Sequence, residues 1–543
     1  MSFHFPVAAL ALSVILYWLY RRLTHISIAH IPGPKPESFL LGNLREFFQG
    51  QAAEADFKWQ SEYGDIVRFK GPFGEDRLLV SDPKALQYIY QTSGYNFVKQ
   101  VERRELSRII SGRGILWADG DDHRRHRKVM LPGFSGPVAK ASVPLFFSYA
   151  SKLTAKWRSI ITSTTDQSAV LDMPSWVSRA TLDAIGEVAF DYEFGAMDNA
   201  DNALGKAYSG VMLDTFGTLT NGEIFSQNVM SYIPLRICEL MTDYMPSNKL
   251  HHARTTAKIA TGVAKTLVDS KSEALLQGKG NRDIMSLLVK ANASENELTQ
   301  LNEDEMLSQM RTIILAGHET TANTLSWMLL ELAKRPVLQT ELRNEIREME
   351  CTLQSRGDPE FKATDFDAMP CLSAVLKETL RYHPVAYNTY RQAIKDDVLP
   401  LSKPIITTSG DVLTELPIPK GLRVIASIGG YNRNKDIFGE DAHDFDPERW
   451  LKPGLKKATT SVGVLANLMS FSGGVRSCIG WKFAVLELQA FLVEMIGTFE
   501  FSLTPESQRI RREGALVMIP TVEGEVEKGA QLPLKVKLAS REE

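Results

Sequence analysis

The sequence predicts a mainly α-helical globule with small β-sheets, and three observations carry that reading. From about residue 83 to 380 the text is mostly helical in its apolar spacing. Strand-like sequence gathers in two short regions, around 66–80 and again between 384 and 430, where Pro and Gly punctuate it. No strand–helix alternation runs through the chain, which excludes a βαβ dinucleotide-binding fold. The 543 residues are 44% hydrophobic, ample for a large core, and the net charge of −3 gives no nucleic-acid footprint. Cys238, Cys351, Cys371 and Cys478 are scattered without paired spacing, which argues against a disulfide framework and fits a reducing compartment.

In chain order, residues 3–20 (FHFPVAALALSVILYWLY) carry no formal charge and are long enough for a minimal membrane span. Arg21 and Arg22 follow at once, so the positive-inside rule places the rest of the chain in the cytoplasm. Residues 1–22 are read as an uncleaved anchor, because a secretory signal would need a basic start and a small-residue cleavage site. The Asn292-Ala293-Ser294 sequon should then stay bare. Residues 23–36, with Pro32-Gly33-Pro34-Lys35-Pro36, read as a stiff hinge before one large domain at 37–543. Two strands are expected at Ile66–Phe69 and Leu78–Val80, joined through Gly71-Pro72-Phe73-Gly74.

The stretch Trp117–Lys128 places Asp121 and Asp122 in the first turn of a helix and basic residues in its later turns. His123 and Arg127 share one face and could reach a single anion, although on these residues alone a solvated charged face is the simpler explanation. The longest helix signal starts at Asn302, with Glu305 closing a capping box, and stops at Pro336. Its apolar run is broken by Ala316-Gly317-His318-Glu319-Thr320-Thr321, a notch suited to dioxygen or water with Glu319 feeding protons. A zinc-protease reading of His318-Glu319 fails, since Ala322 stands where the second histidine ligand belongs. Glu378 and Arg381, near the end of a further amphipathic helix, can pair, and Arg449 is placed to join them in a structural network.

The stretch Phe471-Ser-Gly-Gly-Val-Arg476-Ser-Cys478-Ile-Gly480 is a glycine turn that feeds a helix running from Trp481 to Ile496. Helix-terminal N–H groups favour a thiolate there, and Arg476 stands two residues before the cysteine. An axial ligand to haem iron and a buried free cysteine fit these ten residues about equally.

Taken together, the chain resembles the cytochrome P-450 family from the hinge at 32 to about 520. Phe471, Gly474, Arg476, Cys478 and Gly480 match its cysteine signature at every defined position. Ala316–Thr321 match the oxygen-activation segment, Glu378 with Arg381 the Glu-x-x-Arg motif, and Phe445–Trp450 its Pro-Glu-Arg-Phe segment, with Trp450 replacing phenylalanine. The resemblance implies the P-450 fold, a haem-thiolate monooxygenase, and haem b with Cys478 as the metal ligand. It implies propionate contacts from Arg127, Arg476 and Arg391, and from His123 where the family often has tryptophan. Ala316, Phe471 and Gly480 would lie against the cofactor, Thr320 and Glu319 would manage protons, and Glu378, Arg381 and Arg449 would be structural.

The anchor and hinge resemble those of endoplasmic-reticulum members, which take electrons from an NADPH–cytochrome P-450 reductase, with cytochrome b5 as a second donor. Arg124, Arg125, Lys128, Lys452, Lys456, Lys457 and Lys482 are the expected docking cations. The expected substrate is a lipophilic small molecule, a terpenoid or other secondary metabolite before a fatty acid or a xenobiotic aromatic. Ile313, Ala316, Thr320, Val385–Tyr387, the 105–116 loop and parts of 210–250 are the expected walls, and no arginine marks a carboxylate anchor. Alternatives are a haem-thiolate isomerase or dehydratase acting without dioxygen, and a non-catalytic haem sensor or structural membrane protein.

Overall fold

The architecture follows from one long apolar helix and the elements that bury it. In the computed structural model, residues 26–199, 201–208, 217–277, 283–292, 300–452 and 460–540 are described. The Glu303–Ala333 helix opens on the expected capping box: the Asn302 side chain accepts from Glu305 N–H, and the Glu305 carboxylate accepts from Asn302 N–H. It packs along the Met173–Phe190 helix. Gly317 permits that approach, since a Cβ there would lie 2.6 Å from Ile185 Cγ1. The Trp481–Thr498 helix, which follows the cysteine, packs against both the long helix and Val143–Thr162. Leu325, Met328, Leu329, Phe491, Leu492 and Ile496 are fully buried at the centre.

A five-stranded sheet lies beside this helical body in the order Ile66–Lys70, Asp76–Val80, Arg423–Ser427, Asn388–Ala393, Phe97–Lys99. Its pairs are antiparallel except Asp76–Val80 with Arg423–Ser427. The first two strands are the expected ones, and the second region yields Asn388–Ala393, Val412–Ile418 and Arg423–Ser427. Strands Ser168–Asp172, Phe499–Leu503 and Pro533–Leu538 form a further small sheet that apolar spacing does not announce.

The anchor read at 1–22 lies outside the described residues, as do Lys456, Lys457 and residues 293–294 of the sequon. Among the described residues no helix is long and apolar enough to cross a membrane. The segment expected as a hinge is docked onto the sheet. Arg68 N–H donates to Pro32 O at 3.0 Å, Arg68 Nε donates to Ile31 O at 3.0 Å, and Ile31 is fully buried. The 105–116 stretch, expected as a loop, is helical through Ser111, because Val101–Ser111 buries Glu105, Ile109 and Ile110 on one face.

Candidate active site

The cysteine loop is built by the hairpin Gly463–Leu465/Leu468–Gly473 and by a sharp turn after it. Gly474 takes φ +56°, and a Cβ there would sit 1.9 Å from the Tyr90 carbonyl oxygen. Cys478 N–H donates to Phe471 O at 2.8 Å, which closes the loop, and Gly480 is the N-cap of the Trp481–Thr498 helix. Cys478 lies deep in the molecule and yet has accessible surface, so it borders an internal space. Burial raises its thiol pKa, opposed by Gly480 N–H and by Arg127. The helix end alone therefore does not ionise it, contrary to the expectation from sequence, whereas coordination to a metal would.

Cations converge beside this loop. Arg127 donates to Ser477 O at 2.7 Å and to Ser477 Oγ at 3.1 Å, which clamps the residue before the cysteine. Arg476 pairs with Asp119 through Nη2, while its Nη1 is buried with no partner. Arg391 is buried, its guanidinium 5.7 Å from the Tyr90 ring. His123 is buried, and its pKa falls to about 3 through desolvation and the nearby charges of Arg476, Lys99, Arg127 and Arg391. It is neutral at pH 7. With Tyr95 Oη 3.0 Å from Nδ1, donating to it leaves the ring proton on Nε2.

Three members of this cluster escaped the sequence reading. Lys99 donates to Ile115 O at 3.1 Å and Ala118 O at 2.6 Å, and Asp119 and Tyr95 hold Arg476 and His123. Single residues in a strand end and in turns leave no periodic signal.

On the long helix, Ala316 is exposed although Ile313, Ile314, Leu315 and His318 around it are buried. Thr320 Oγ1 donates to Ala316 O at 2.7 Å, so the hydroxyl occupies the carbonyl one turn back. Glu319 points elsewhere. Its carboxylate accepts from Ser178 Oγ at 3.0 Å and Asn323 Nδ2 at 3.4 Å, lies 3.2 Å from His318 Nε2, and faces a cleft of about 460 Å³ beside Met173–Phe190. Burial pushes its pKa up, but His318, Ser178 and Asn323 together hold it below the usual carboxylate range.

The structural network is complete and buried. Glu378 accepts from Arg381 Nε at 2.8 Å and Nη2 at 2.7 Å, and from Arg449 Nε at 3.1 Å. Arg381 also donates to the carbonyls of Asn432, Ala442 and Asp444. Trp450 Nε1 donates to Glu378 Oε2 at 2.9 Å, so the residue that departs from the family's phenylalanine supplies a further donor to the buried acid. Asn432, held by Arg381 through its carbonyl, uses its side chain to grip Met469 N–H and Ser470 Oγ in the cysteine hairpin. The network thus reaches the ligand loop.

Residues 32–527 match the family model described as Cytochrome P450. The chain belongs to the cytochrome P450 family. The P450 monooxygenase 205 of Postia placenta is 32% identical over 98% of this chain and 97% of its own length. The P450 monooxygenase 219 of the same fungus is 33% identical over 96% of each. The P450 monooxygenase claQ of Ampulloclitocybe clavipes is 31% identical over 93% of this chain and 92% of its own length. The protein is accordingly a haem-thiolate monooxygenase by class.

Its residues fit the group that the P450 family implies. Four cations lie near His123, and Asp119 offsets one of them through Arg476, which leaves an excess of positive charge that two propionates would reduce. The orphaned Nη1 of Arg476 is a ready donor for one. At Gly480 a Cβ would meet the Phe134 ring at an ordinary 3.6 Å, so no close protein neighbour requires that glycine and a flat cofactor would. Arg127, Arg391, Arg476 and His123 would hold the propionates and Cys478 the iron.

Proposed function

We propose that this P450 hydroxylates an unactivated C–H bond of a lipophilic small molecule, a terpenoid or other secondary metabolite before a fatty acid. Electrons come from an NADPH-dependent reductase. The observation that carries the reading is the deep, accessible Cys478, whose helix packs on the helix bearing the Ala316–Thr320 notch. When bound, the haem would supply dioxygen activation, which the Cys478 thiolate would promote. The chain's own residues do the rest. Thr320 carries a hydroxyl one turn from Ala316, and Glu319 stays anionic at neutral pH as a hydrogen-bond acceptor at the cleft beside Ser178, where it would orient the water that carries protons.

The domain sits on the cytosolic face of the endoplasmic reticulum with residues 1–22 as its anchor. An exposed apolar face supports this placement: Phe39 and Tyr232 each lie against Phe73, at 6.1 and 6.3 Å between rings, and Leu240 and Tyr244 stand exposed nearby in sequence. The docking cations are fewer than the sequence offers. Arg125 is tied to Glu305 at 2.5 Å, Arg124 to Asp121 and Lys452 to Glu448, so Lys128 and Lys482 carry more of the reductase contact.

The test is a reduced-CO spectrum with product analysis. Wild type shows the red-shifted thiolate band, and Cys478→Ala abolishes it. With reconstituted reductase and labelled dioxygen, one labelled oxygen enters each product. Product formed without NADPH would assign an isomerase instead.

A further inference from the structure

The cleft between the Val101–Ser111 helix and the Asn388–Ala393 strand holds an arginine that no carboxylate claims. This helix carries three arginines, and of these Arg103 alone lines the cleft. Arg104 lies over the Trp117 ring at 4.4 Å with its Nε 4.0 Å from Asp119, and Arg108 pairs with Glu105 at 2.9 Å and Asp243 at 2.8 Å. The helix's other acid, Glu102, is taken by Arg423 at 2.6 Å. Arg103 has neither ion pair nor side-chain hydrogen bond among the described residues, and its Nε is buried without a partner. Aromatic rings hold it in place: its guanidinium lies 3.7 Å over Tyr390 and 5.7 Å from Phe48. A buried donor without an acceptor is costly, and a planar guanidinium fixed on a ring is preorganised for a carboxylate.

The cleft's shape agrees. Its volume of about 200 Å³ falls below the roughly 300–1,000 Å³ that encloses a whole ligand, so it suits one end of a molecule. Leu106, Leu116, Leu219 and Leu516 supply apolar walls around the cation. No residue of the Glu303–Ala333 helix lines it.

We propose that Arg103 anchors the carboxylate of a lipophilic acid, and that the substrate of this enzyme bears such a group at the end left in this cleft. The assignment rests on the monooxygenase reading and narrows it. Because Ala316 and Thr320 lie outside the cleft, oxidation falls on a carbon remote from the carboxyl group. A haem propionate offers the same carboxylate chemistry, since Arg391 also lines the cleft, and the test separates the two.

Equilibrium dialysis of the full-length holoprotein is run with dodecanoate and abietate and with their methyl esters. Wild type, Arg103→Met and Arg103→Lys are compared, with reduced-CO spectra and haem content recorded for each. At least one acid binds wild type about tenfold or more tightly than its ester, as a charge-assisted hydrogen bond requires. Arg103→Met erases that preference while ester affinity and haem content hold, and Arg103→Lys keeps part of it. Equal binding of acid and ester to wild type overturns the proposal, as does a preference that survives Arg103→Met. Loss of haem in Arg103→Met with the acid preference intact assigns Arg103 to a propionate and also overturns it. A wild-type spectrum without the thiolate band overturns the monooxygenase reading instead, while dialysis still reports on Arg103.

Discussion

Thr320 and Glu319 are neighbours in sequence, but the structure sends their side chains to different surroundings. Thr320 Oγ1 is bound to the Ala316 carbonyl, whereas Glu319 is held by Ser178 and Asn323 on the side of the Met173–Phe190 helix. Two distinct defects are therefore expected. Thr320→Ala keeps the haem and the thiolate band but releases several times more peroxide per product, which paired NADPH, peroxide and product assays measure. Unchanged coupling would remove Thr320 from proton management. Glu319 is already ionised at neutral pH, so no step in the rate near pH 7 should trace to it. His123 likewise keeps one protonation state around neutral pH, as an uncharged imidazole. Its depressed pKa means that protonating it costs stability only below its ordinary value near 6.5, a loss growing as pH falls toward about 3.

The turn before the cysteine and the cap after it both use glycine, for different reasons. Gly474 has φ +56° and a carbonyl 1.9 Å from where a Cβ would go, whereas Gly480 has φ −92° and meets only Phe134 at 3.6 Å. Gly474→Ala should destabilise the fold by about 1–2 kcal/mol from backbone conformation alone, with the clash added. Gly480→Ala should leave the urea midpoint nearly unchanged and lower haem content per chain, read as the pyridine haemochrome. Equal losses of stability in the two variants would show that Gly480 serves the protein and not the cofactor.

These elements also mark how far the sequence could be read. The capping box at Asn302, the helix after Cys478 and the Glu378–Arg381 pair are local patterns with fixed offsets, and the fold contains each, whereas Arg449 reaches Glu378 from 71 residues away. Lys99, Asp119 and Arg103 were not legible as site residues. Their roles depend on which strands and turns meet across hundreds of residues, and a lone cation in a charged helix looks like a solvated face. The direction of the Glu319 side chain was not legible either, because the partner helix that supplies Ser178 is set by tertiary packing.

Across the whole molecule, buried ionisable groups tie stability to pH. Glu487 lies on the cysteine helix among Leu488, Phe491 and Leu492, is almost wholly buried, and touches Thr321 of the long helix. Burial pushes its pKa up to about 8, against which the Thr321 hydroxyl is a small opposing effect. In the unfolded chain the same carboxyl titrates near 4.5. The folded state therefore holds a proton that the unfolded state has released, so stability is full below about 4.5 and is lost as pH rises toward about 8. His383, stacked on Trp327 and bound to Glu331 at 2.9 Å, works in the opposite sense: its pKa is lowered to about 4, so its contribution is lost as pH falls from 6.5. Glu487→Gln isolates the first effect, because the amide keeps the shape and removes the proton. The variant should gain stability relative to wild type between pH 5 and 9, by on the order of a few kcal/mol, measured as the difference in urea unfolding at each pH. A difference that does not change with pH would mean that Glu487 is already ionised in the fold and that the helix carrying the haem ligand tolerates a charge at its core.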